Sequence, residues 1–325
     1  MSFSVQYNDM KPNEIVKKGR ILEISWDDCD RAVWDDLSTQ VDRSSLEQSW
    51  IYGEAVRDHY GMSVKRAVIQ FDGESVGVFQ IFEKQLFGIV KVARLVRGPI
   101  WSKPQDEAMK GIAGSFSLLR RELLFWTPEL SDTFDHATLM RKVGKRRMVT
   151  GLSTSWLDLS KTEEALLQGF SGNWRNMLRA GERENLKIRM RDDIKGVSTH
   201  LSAYDAFRKQ KRFVGPPSEL IQAMADNSQK GDIITLTAGT DQNPVAGVLL
   251  VCHGNSATYY TSWNSDEGRN KRAHNVLLWR VIQELQKRSI KWLDLGGLNT
   301  DSAAGVARFK IGLGGEIVTL SGTYL

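Results

Sequence analysis

The sequence predicts an α/β protein with two consecutive domains, each a mixed, largely antiparallel sheet flanked by helices. Its 325 residues exceed one ordinary domain and suit two of about 150–200 residues each. A hydrophobic share of 41% is enough to build two packed cores. The two halves also show the same order of elements: antiparallel strands, then a helix, then a strand. This repetition is architectural, since the halves share no aligned sequence similarity.

The first half alternates between apolar stretches and turn residues. Asp72-Gly73 separates two apolar stretches and predicts a β-hairpin. Further along, Ile112, Phe116, Leu119 and Leu123 recur at helical spacing and predict a long helix. The predicted elements are strands over Lys65–Phe71, Val76–Phe82 and Leu95–Trp101, a helix over Glu107–Trp126 and a short strand over Phe134–Met140.

The second half follows the same plan, with turns at 239–244 and 253–255. Its predicted elements are strands over Asp232–Ala238, Val245–Val251 and Ala257–Trp263, a helix over Asn275–Lys287, and strands over Ile290–Leu295 and Glu316–Leu320. We place the domain boundary in the basic, turn-rich passage 141–154. The N-terminal domain then covers residues 1–150 and the C-terminal domain residues 151–325, whose last strand is able to return to the first domain.

Composition excludes several classes of protein. No apolar run approaches the roughly 20 residues that cross a bilayer, and residues 1–18 lack the apolar segment of a secretory signal. Cys29 and Cys252 are too few for a disulfide framework or a zinc site, and the five histidines show no metal-ligand spacing. We therefore expect a cytoplasmic protein with no membrane span, no bound metal and no cofactor.

The net charge of +5 makes an anionic partner plausible. Basic residues gather at 141–147, 208–212 and 269–272. Each cluster alone is either a solvated face or a phosphate contact, and the three together favour a phosphate-bearing substrate. Guanidinium groups bind phosphates bidentately, so the candidate phosphate contacts are Arg175, Arg179, Arg208 and Arg212.

Familiar catalytic patterns are missing. The sequence contains no phosphate-binding GxxxxGK[ST] loop, no zinc-binding HExxH and no G-x-S-x-G nucleophile elbow. No serine or cysteine stands out as a nucleophile, which argues against a covalent acyl-enzyme intermediate.

The most specific signal lies near the C-terminus. It comprises a tyrosine-rich stretch at 259–265, the run Trp-Leu-Asp-Leu-Gly-Gly at 292–297, and Phe-Lys-Ile-Gly-Leu-Gly-Gly at 309–315. This order and spacing resembles the signature of FemAB-like proteins of the GNAT superfamily, which add amino acids to peptidoglycan precursors from aminoacyl-tRNA. Gln48-Ser49-Trp50 and the stretch 173–180 are similar to further elements of that family. The resemblance thus spans residues 48–325.

The resemblance implies two tandem GNAT-like domains and an acyltransferase, either an aminoacyltransferase or an N-acetyltransferase. The function it implies is transfer of an aminoacyl group from aminoacyl-tRNA to an amine of a peptidoglycan precursor or a similar small acceptor. The alternative is an acyl-CoA or acyl-carrier dependent N-acyltransferase acting on a small amine or peptide. A non-catalytic relative that only holds a phosphorylated precursor is the third hypothesis. The C-terminal domain would be the donor and catalytic side, and the N-terminal domain the acceptor side.

By the same resemblance, Lys310 is the first candidate catalytic residue, since the matching lysine in the family is thought to stabilise the oxyanion of the reacting carbonyl. Asp294 either orients Lys310 or accepts a proton, or it caps the turn that follows. Phe309 would line the acyl channel. Tyr259 and Tyr260 alternate along a strand, so that only one can face the cleft. The remaining candidate substrate-binding residues are Trp50 and Trp263.

Two stretches depart from the patterns of the relatives. Short family members have a lysine four residues after the tryptophan of the opening element, where it contacts the diphosphate of a UDP-linked precursor, but this chain has Glu54. A carboxylate there would repel a diphosphate, which puts the usual acceptor in doubt. The second departure is Arg269–Asn275, which lacks the Gly-x-Gly that holds the pyrophosphate in acyl-CoA dependent GNAT domains. This departure favours an aminoacyl-tRNA donor.

Overall fold

The computed structural model describes residues 22–325 apart from Asp28, Phe87, Ile89, residues 103–121, Asp241 and Ser302. The N-terminal elements are β1 (Leu22–Trp26), α1 (Arg31–Gln40), a 3-10 turn (Leu46–Gln48), α2 (Trp50–Tyr60), β2 (Ser63–Phe71), β3 (Glu74–Leu86), β4 (Val90–Val96), β5 (Ile100–Trp101), β6 (Glu122–Thr127), α3 (Phe134–Lys142) and β7 (Arg147–Val149).

The C-terminal elements begin with β8 (Ser153–Asp158), α4 (Glu163–Gly169), α5 (Gly172–Arg183), β9 (Ile188–Arg191), α6 (Ile194–Lys211) and α7 (Ser218–Asp226). They continue with β10 (Ile233–Gly239), β11 (Pro244–His253), β12 (Ser256–Asn264), α8 (Asp266–Asn270), α9 (Ala273–Lys287), β13 (Trp292–Gly297), α10 (Ala304–Ile311), β14 (Glu316–Thr319) and β15 (Thr323–Tyr324). No helix among the described residues is long and apolar enough to cross a bilayer.

The strands form two mixed sheets. The first has the order β1-β2-β3-β4-β6-β15-β7, with β5 paired to β3, and the second has the order β14-β8-β13-β12-β11-β10-β9. Each sheet contains one parallel pair, β4 with β6 in the first and β12 with β13 in the second. The chain leaves the first sheet after Val149 and enters the second at Ser153, and β15 pairs with β6 and β7. The predicted mixed α/β class is confirmed, and the boundary at residue 150 stays a prediction.

The parallel pairs differ in how far they run together. β4 and β6 stay paired from Lys91 opposite Glu122 to Val96 opposite Thr127. β12 and β13 pair only over Ser256–Thr258 opposite Trp292–Asp294. Beyond this point the two strands of the second sheet separate, which leaves a gap between them.

An apolar core joins the two domains. Leu46, Ile51 and Val56 of the N-terminal domain pack in one cluster with residues of α6, α7 and the second sheet, among them Val197 and Met224. Burial of such surface contributes about 25 cal/mol per Å². The relative position of the sheets is therefore held by a packed hydrophobic interface.

The predicted helix over Glu107–Trp126 is wrong in its last part. Residues 107–121 lie outside the described chain, and Glu122–Thr127 form strand β6. Leu124 and Trp126 are buried whereas Leu123 is 47% exposed, which is the two-residue period of a half-buried strand. Leu123 had been counted toward a helical stripe because helical and strand periods coincide over short apolar runs.

The predicted strand over Phe134–Met140 is also wrong, because these residues belong to α3. Thr133 caps the helix, with its hydroxyl accepting a hydrogen bond from the His136 N–H. The helix buries Leu139 and Met140 and leaves Phe134 78% exposed. The N-cap determines this element more strongly than its hydrophobic residues do.

Candidate functional site

The gap between β12 and β13 is the centre of the candidate site. Its floor is Gly296, whose φ of +71° is one that residues with a side chain rarely adopt. A Cβ atom at this position would lie 3.6 Å from Lys310 Nζ and 3.6 Å from the Tyr259 carbonyl oxygen. Gly296 of β13, Tyr259 of β12 and Lys310 of α10 therefore lie close together at this gap.

A β-bulge shapes one wall of the gap. Leu249 pairs with Thr261 and Leu250 with Tyr259, so Tyr260 is an extra residue in β12. Tyr259 packs against the core of the C-terminal domain and Tyr260 against the core between the domains. Lys310 Nζ lies 5.9 Å from the centre of the Tyr259 ring. Burial raises the pKa of Tyr259 to about 12, which keeps its hydroxyl neutral.

Lys310 lies on α10 and is only 8% exposed. Its ammonium donates a hydrogen bond of 2.9 Å to the Gly297 carbonyl oxygen. Burial lowers the pKa of Lys310, and the nearby carboxylate of Asp294 acts in the opposite direction. This side chain thus places a cation in a largely dry gap, where its field is stronger than in water.

Asp294 is fully buried at the last position of β13 that pairs with β12. Its Oδ1 accepts hydrogen bonds from the Thr154 hydroxyl and, at 2.8 Å, from the Gly296 N–H, and its Oδ2 accepts one of 2.8 Å from Arg97. Burial alone would raise the pKa of Asp294, but Arg97 and these hydrogen bonds lower it below the ordinary value. Asp294 therefore caps the glycine turn, and it acts on Lys310 through its charge.

Arg97 follows strand β4 and reaches into the C-terminal domain. It binds Glu129 through two hydrogen bonds of 2.8 and 2.7 Å, and its Nη1 lies 3.7 Å from Glu47 Oε2. Burial acts to lower the pKa of Arg97, but Glu129, Glu47 and Asp294 raise it well above its ordinary range. Sequence analysis missed Arg97, Glu129 and Glu47.

Gln48 shows why the opening element holds this cluster in place. The side chain is fully buried. It donates a hydrogen bond of 2.7 Å to the Val96 carbonyl and accepts one of 2.8 Å from the Gln80 N–H. It therefore ties the 3-10 turn to the middle of β3 and the end of β4. Glu47 is in that turn, so its carboxylate is held beside Arg97.

Phe309 lies on the other side of the gap, among aromatic rings. Its ring is 5.9 Å from Trp174 on α5 and 6.3 Å from His274 on α9. Burial lowers the pKa of His274 to about 4. Its Nε2 donates a hydrogen bond of 3.0 Å to the Trp263 carbonyl. Phe309 precedes Lys310 on α10, so this uncharged aromatic cluster adjoins the residue that carries the ammonium. The indole nitrogen of Trp174 is buried without a hydrogen-bond partner.

The four candidate phosphate-binding arginines are not brought together. Arg175 donates to the carbonyls of Leu167, Gln168 and Phe170, so it caps the end of α4. Arg208 donates to Asp205 and to Pro216, and Arg212 is exposed at the end of α6 in a left-handed conformation. Arg179 on α5 is exposed and forms no ion pair with a described residue.

The two candidate tryptophans pack away from Lys310. Trp50 lies under the guanidinium of Arg66, whose carbon is 3.6 Å from the ring centre, inside the N-terminal domain. Trp263 is 6% exposed in the core between the domains. Of the predicted site residues, the gap unites Lys310, Asp294, Tyr259 and Phe309, with Tyr260 at its bulge.

Glu54 is not an exposed carboxylate. It is 6% exposed, accepts a 2.8 Å hydrogen bond from Arg66 and also pairs with Arg57. Two guanidinium groups therefore compensate its charge inside the N-terminal domain. The argument that Glu54 repels a diphosphate was wrong, because it treated this charge as free.

Residues 190–325 match the model of the FemAB family. The matched segment includes β12, β13 and α10. The C-terminal part of the chain is therefore similar to the FemAB family. Comparison with curated protein sequences gives no match. Among the described residues no group of three or more His, Cys, Asp or Glu side chains is placed to hold a metal ion.

Three solved structures share the fold of this chain. FemX superposes with a TM-score of 0.80 at 15% identity, covering 92% of this chain and 96% of FemX. A conserved protein of unknown function from Bacteroides thetaiotaomicron gives 0.62 at 12% identity, covering 93% and 98%. A tandem GNAT protein from the clavulanic acid biosynthesis pathway gives 0.52 at 12% identity, covering 94% and 98%. The two-domain GNAT-like fold is thereby confirmed.

Proposed function

We propose that this FemAB-like chain transfers an aminoacyl group from aminoacyl-tRNA to an amine of a peptidoglycan precursor or a similar small acceptor. The observation that carries the proposal is the ammonium of Lys310, buried in the gap between β12 and β13. A fixed cation at the edge of an opened sheet suits a reaction in which negative charge develops on a carbonyl oxygen.

The proposed reaction is direct transfer. The acceptor nitrogen attacks the ester carbonyl carbon of the donor, and the negative charge of the tetrahedral intermediate develops on the carbonyl oxygen. The Lys310 ammonium stabilises that oxygen, and the new amide forms as the bond to the ribose oxygen breaks. The proton lost by the amine ends on the departing ribose hydroxyl. No residue of the chain becomes acylated, in agreement with the lack of a recognisable nucleophile motif.

The start of α9 supports aminoacyl-tRNA as the donor. Acyl-CoA dependent GNAT domains hold pyrophosphate on exposed N–H groups at the start of this helix. Here α5 crosses that turn closely, since a Cβ at Gly181 would lie 2.7 Å from Val276 and 3.1 Å from the Arg272 carbonyl. His274 adds a half-buried ring at the same place. A pyrophosphate has little access to this backbone.

Exposed cations lie on α5, at the start of α9 and on α10, the elements that carry Trp174, His274 and Phe309. Arg179 and Arg183 on α5, Arg272 at the start of α9 and Arg308 on α10 are exposed and form no ion pair with a described residue. By contrast, Arg269 pairs with Asp266 and Lys271 with Glu267. The four free guanidinium groups suit the phosphates of a tRNA acceptor end.

The second candidate is an acyl-CoA dependent N-acyltransferase acting on a small amine. What favours it is the fold shared with the tandem GNAT protein, whose structure is described as one without AcCoA. At 12% identity this likeness concerns the fold alone. A cytoplasmic location fits either donor and stays a prediction.

The deciding experiment supplies purified protein with a pool of charged tRNA or a pool of acyl-CoA, and detects modified amines by mass spectrometry. We expect transfer from charged tRNA that RNase abolishes. As a matched pair, Arg179→Ala should weaken donor binding, whereas Lys271→Ala, which removes a cation already paired with Glu267, should not. RNase-resistant transfer from acyl-CoA would replace the first candidate by the second.

A further inference from the structure

Arg97 connects the N-terminal domain to the candidate site. Its Nη1 is 2.8 Å from Asp294 Oδ2, and the two residues are 197 positions apart in the chain. Both side chains are buried, with Arg97 7% and Asp294 0% exposed. The guanidinium carbon also lies 5.8 Å from the centre of the Trp156 ring on β8. This contact therefore crosses the domain interface directly behind the gap.

Asp294 passes the contact on to Lys310 through the backbone. Its other oxygen accepts the Gly296 N–H at 2.8 Å, which fixes the left-handed turn at Gly296. The next residue, Gly297, presents its carbonyl to Lys310 Nζ at 2.9 Å. The orientation of the Lys310 ammonium thus depends on the Gly296-Gly297 turn. The Asp294 carboxylate fixes this turn, and Arg97 binds that carboxylate.

The backbone of Arg97 shows that this arrangement is enforced. Its φ is +50°, a conformation that is costly for a residue with a side chain. Such a conformation persists where surrounding contacts over-determine it. Here the Arg97 carbonyl accepts the Ser45 hydroxyl, and its guanidinium is bound by Glu129 and Asp294.

We propose that Arg97 is a positioning residue of the transfer site, which orients the Lys310 ammonium through Asp294 and the Gly296-Gly297 turn when the two domains are docked. The inference rests on the proposed role of Lys310. It makes the N-terminal domain a working part of the catalytic centre, in addition to its expected role on the acceptor side.

The geometry requires arginine at this position. The planar guanidinium binds Glu129 with Nε and Nη2 and keeps Nη1 for Asp294. A lysine ammonium preserves the charge but cannot serve both carboxylates in this fixed fork. Arg97→Lys therefore separates the positioning role from the charge, and Arg97→Gln removes both.

The control is Arg43→Lys. Arg43 also crosses between the domains, with its guanidinium carbon 3.8 Å from the centre of the Trp292 ring and an ion pair to Glu316. Its hydrogen bond and ion pair go to Glu316, so it is not bonded to Asp294 or Gly296. Loss of an interdomain arginine contact in general would affect this variant as much as Arg97→Lys.

Two measurements on folded protein test the proposal. The first is the single-turnover transfer rate together with donor affinity. We expect Arg97→Lys to lose roughly 10- to 100-fold in rate, because misplacement of about 1 Å has effects of that order, with donor affinity unchanged within twofold. Arg43→Lys should retain the rate. Equal rates in Arg97→Lys and wild type would overturn the proposal.

The second measurement needs no activity. The reactivity of Lys310 toward acetic anhydride is followed by mass spectrometry of its peptide as a function of pH. Among described residues, Asp294 and Tyr259 face the ammonium, and Arg97 faces Asp294, Glu47 and Glu129. Arg97→Gln removes a positive charge behind Asp294, so the titration midpoint of Lys310 should rise by roughly half a unit or more. An unchanged midpoint and rate in folded variants would leave Arg97 with a structural role alone.

The outcomes separate this proposal from the proposed function. If Lys310→Ala transfers normally, the proposed function fails. The labelling experiment still tests separately whether Arg97 affects the titration of Lys310. If Arg97→Gln does not fold, Arg97→Lys and Asp294→Asn supply both readouts. Asp294→Asn retains an oxygen for the Gly296 N–H but loses the charge that Arg97 binds.

Discussion

Lys310 and Tyr259 approach each other across the gap between β12 and β13, with the ammonium nitrogen 5.9 Å from the centre of the phenol ring. Gly296 lies beside both residues, since a Cβ atom there would be 3.6 Å from Lys310 Nζ and 3.6 Å from the Tyr259 carbonyl oxygen, which leaves space next to this glycine. Because the Tyr259 carbonyl and the Lys310 ammonium both border this space, a reacting carbonyl placed there would meet the cation directly. The site therefore depends on the absence of a Cβ atom at residue 296.

Replacement of Gly296 by alanine should affect both stability and transfer. The left-handed conformation costs an alanine about 1–2 kcal/mol of unfolding free energy, and the new methyl group would lie 3.6 Å from Lys310 Nζ. Gly144→Ala is the control, since Gly144 has φ of +76° with open space around it. Denaturation should show similar losses in both variants, and single-turnover assays should show slower transfer in Gly296→Ala only. Equal rates in the two variants would show that the space at residue 296 is not used.

Arg175 and Arg179 lie one turn apart on α5 and should behave differently. Arg175→Ala removes the cap on three carbonyls at the end of α4, and should cost about 1.5–3 kcal/mol of stability. Arg179→Ala should stay within about 0.5 kcal/mol of wild type. If tRNA is the donor, Arg179→Ala should also reduce the salt dependence of donor binding. Salt-independent binding of charged tRNA to the wild type would contradict this assignment.

Glu54 should matter for stability and not for acceptor choice. Glu54→Ala leaves Arg66 buried without its main partner, and burial already lowers the pKa of Arg66 to about 10. Breaking a buried ion pair costs about 3–5 kcal/mol, so a loss of this order is expected in urea denaturation. Asp58→Ala, which removes a half-exposed carboxylate of the same helix, should cost less than about 1 kcal/mol. A change of acceptor in folded Glu54→Ala would restore the functional interpretation of this residue.

Three buried histidines should make the chain sensitive to mild acid. Burial lowers the pKa of His200 and His253 to about 3 and that of His274 to about 4. In the unfolded chain histidines titrate near 6.5, so the unfolded state binds more protons below this pH. The free energy of unfolding should therefore fall as the pH is lowered from about 6.5 to 5, by up to ~1.4 kcal/mol per unit for each histidine.

His200→Gln tests this pH dependence, since His200 is 1% exposed and its Nε2 is hydrogen-bonded to the Thr261 hydroxyl. The variant should lose about one third of the histidine part of the slope in denaturation curves measured at several pH values. Ser198→Ala, an exposed change on the same helix, should keep the full slope. A stability that does not change between pH 6.5 and 5 would contradict the burial argument.

The elements that could be predicted from the sequence are those that a local pattern of residues determines. The apolar run Val245–Val251 and the helical stripe of 275–287 placed β11 and α9 correctly, and the motif around Phe309-Lys310 located the candidate lysine. Elements set by partners elsewhere were mispredicted: β6 pairs with β4 along its whole length, and α3 depends on its Thr133 cap. The role of Arg97 could not be predicted from the sequence, because it depends on a contact with Asp294, which is 197 residues away in the chain. Glu54 was misjudged for the same reason, since Arg66 compensates it from a neighbouring strand.

The central claim is that the buried ammonium of Lys310 stabilises the reacting carbonyl. The most direct measurement is the single-turnover rate of Lys310→Ala beside Arg308→Ala, which removes an exposed cation from the same helix. With both variants folded and saturated with donor, we predict a rate about 10²–10³ times lower for Lys310→Ala and a near-normal rate for Arg308→Ala. A near-normal rate for folded Lys310→Ala would contradict the claim.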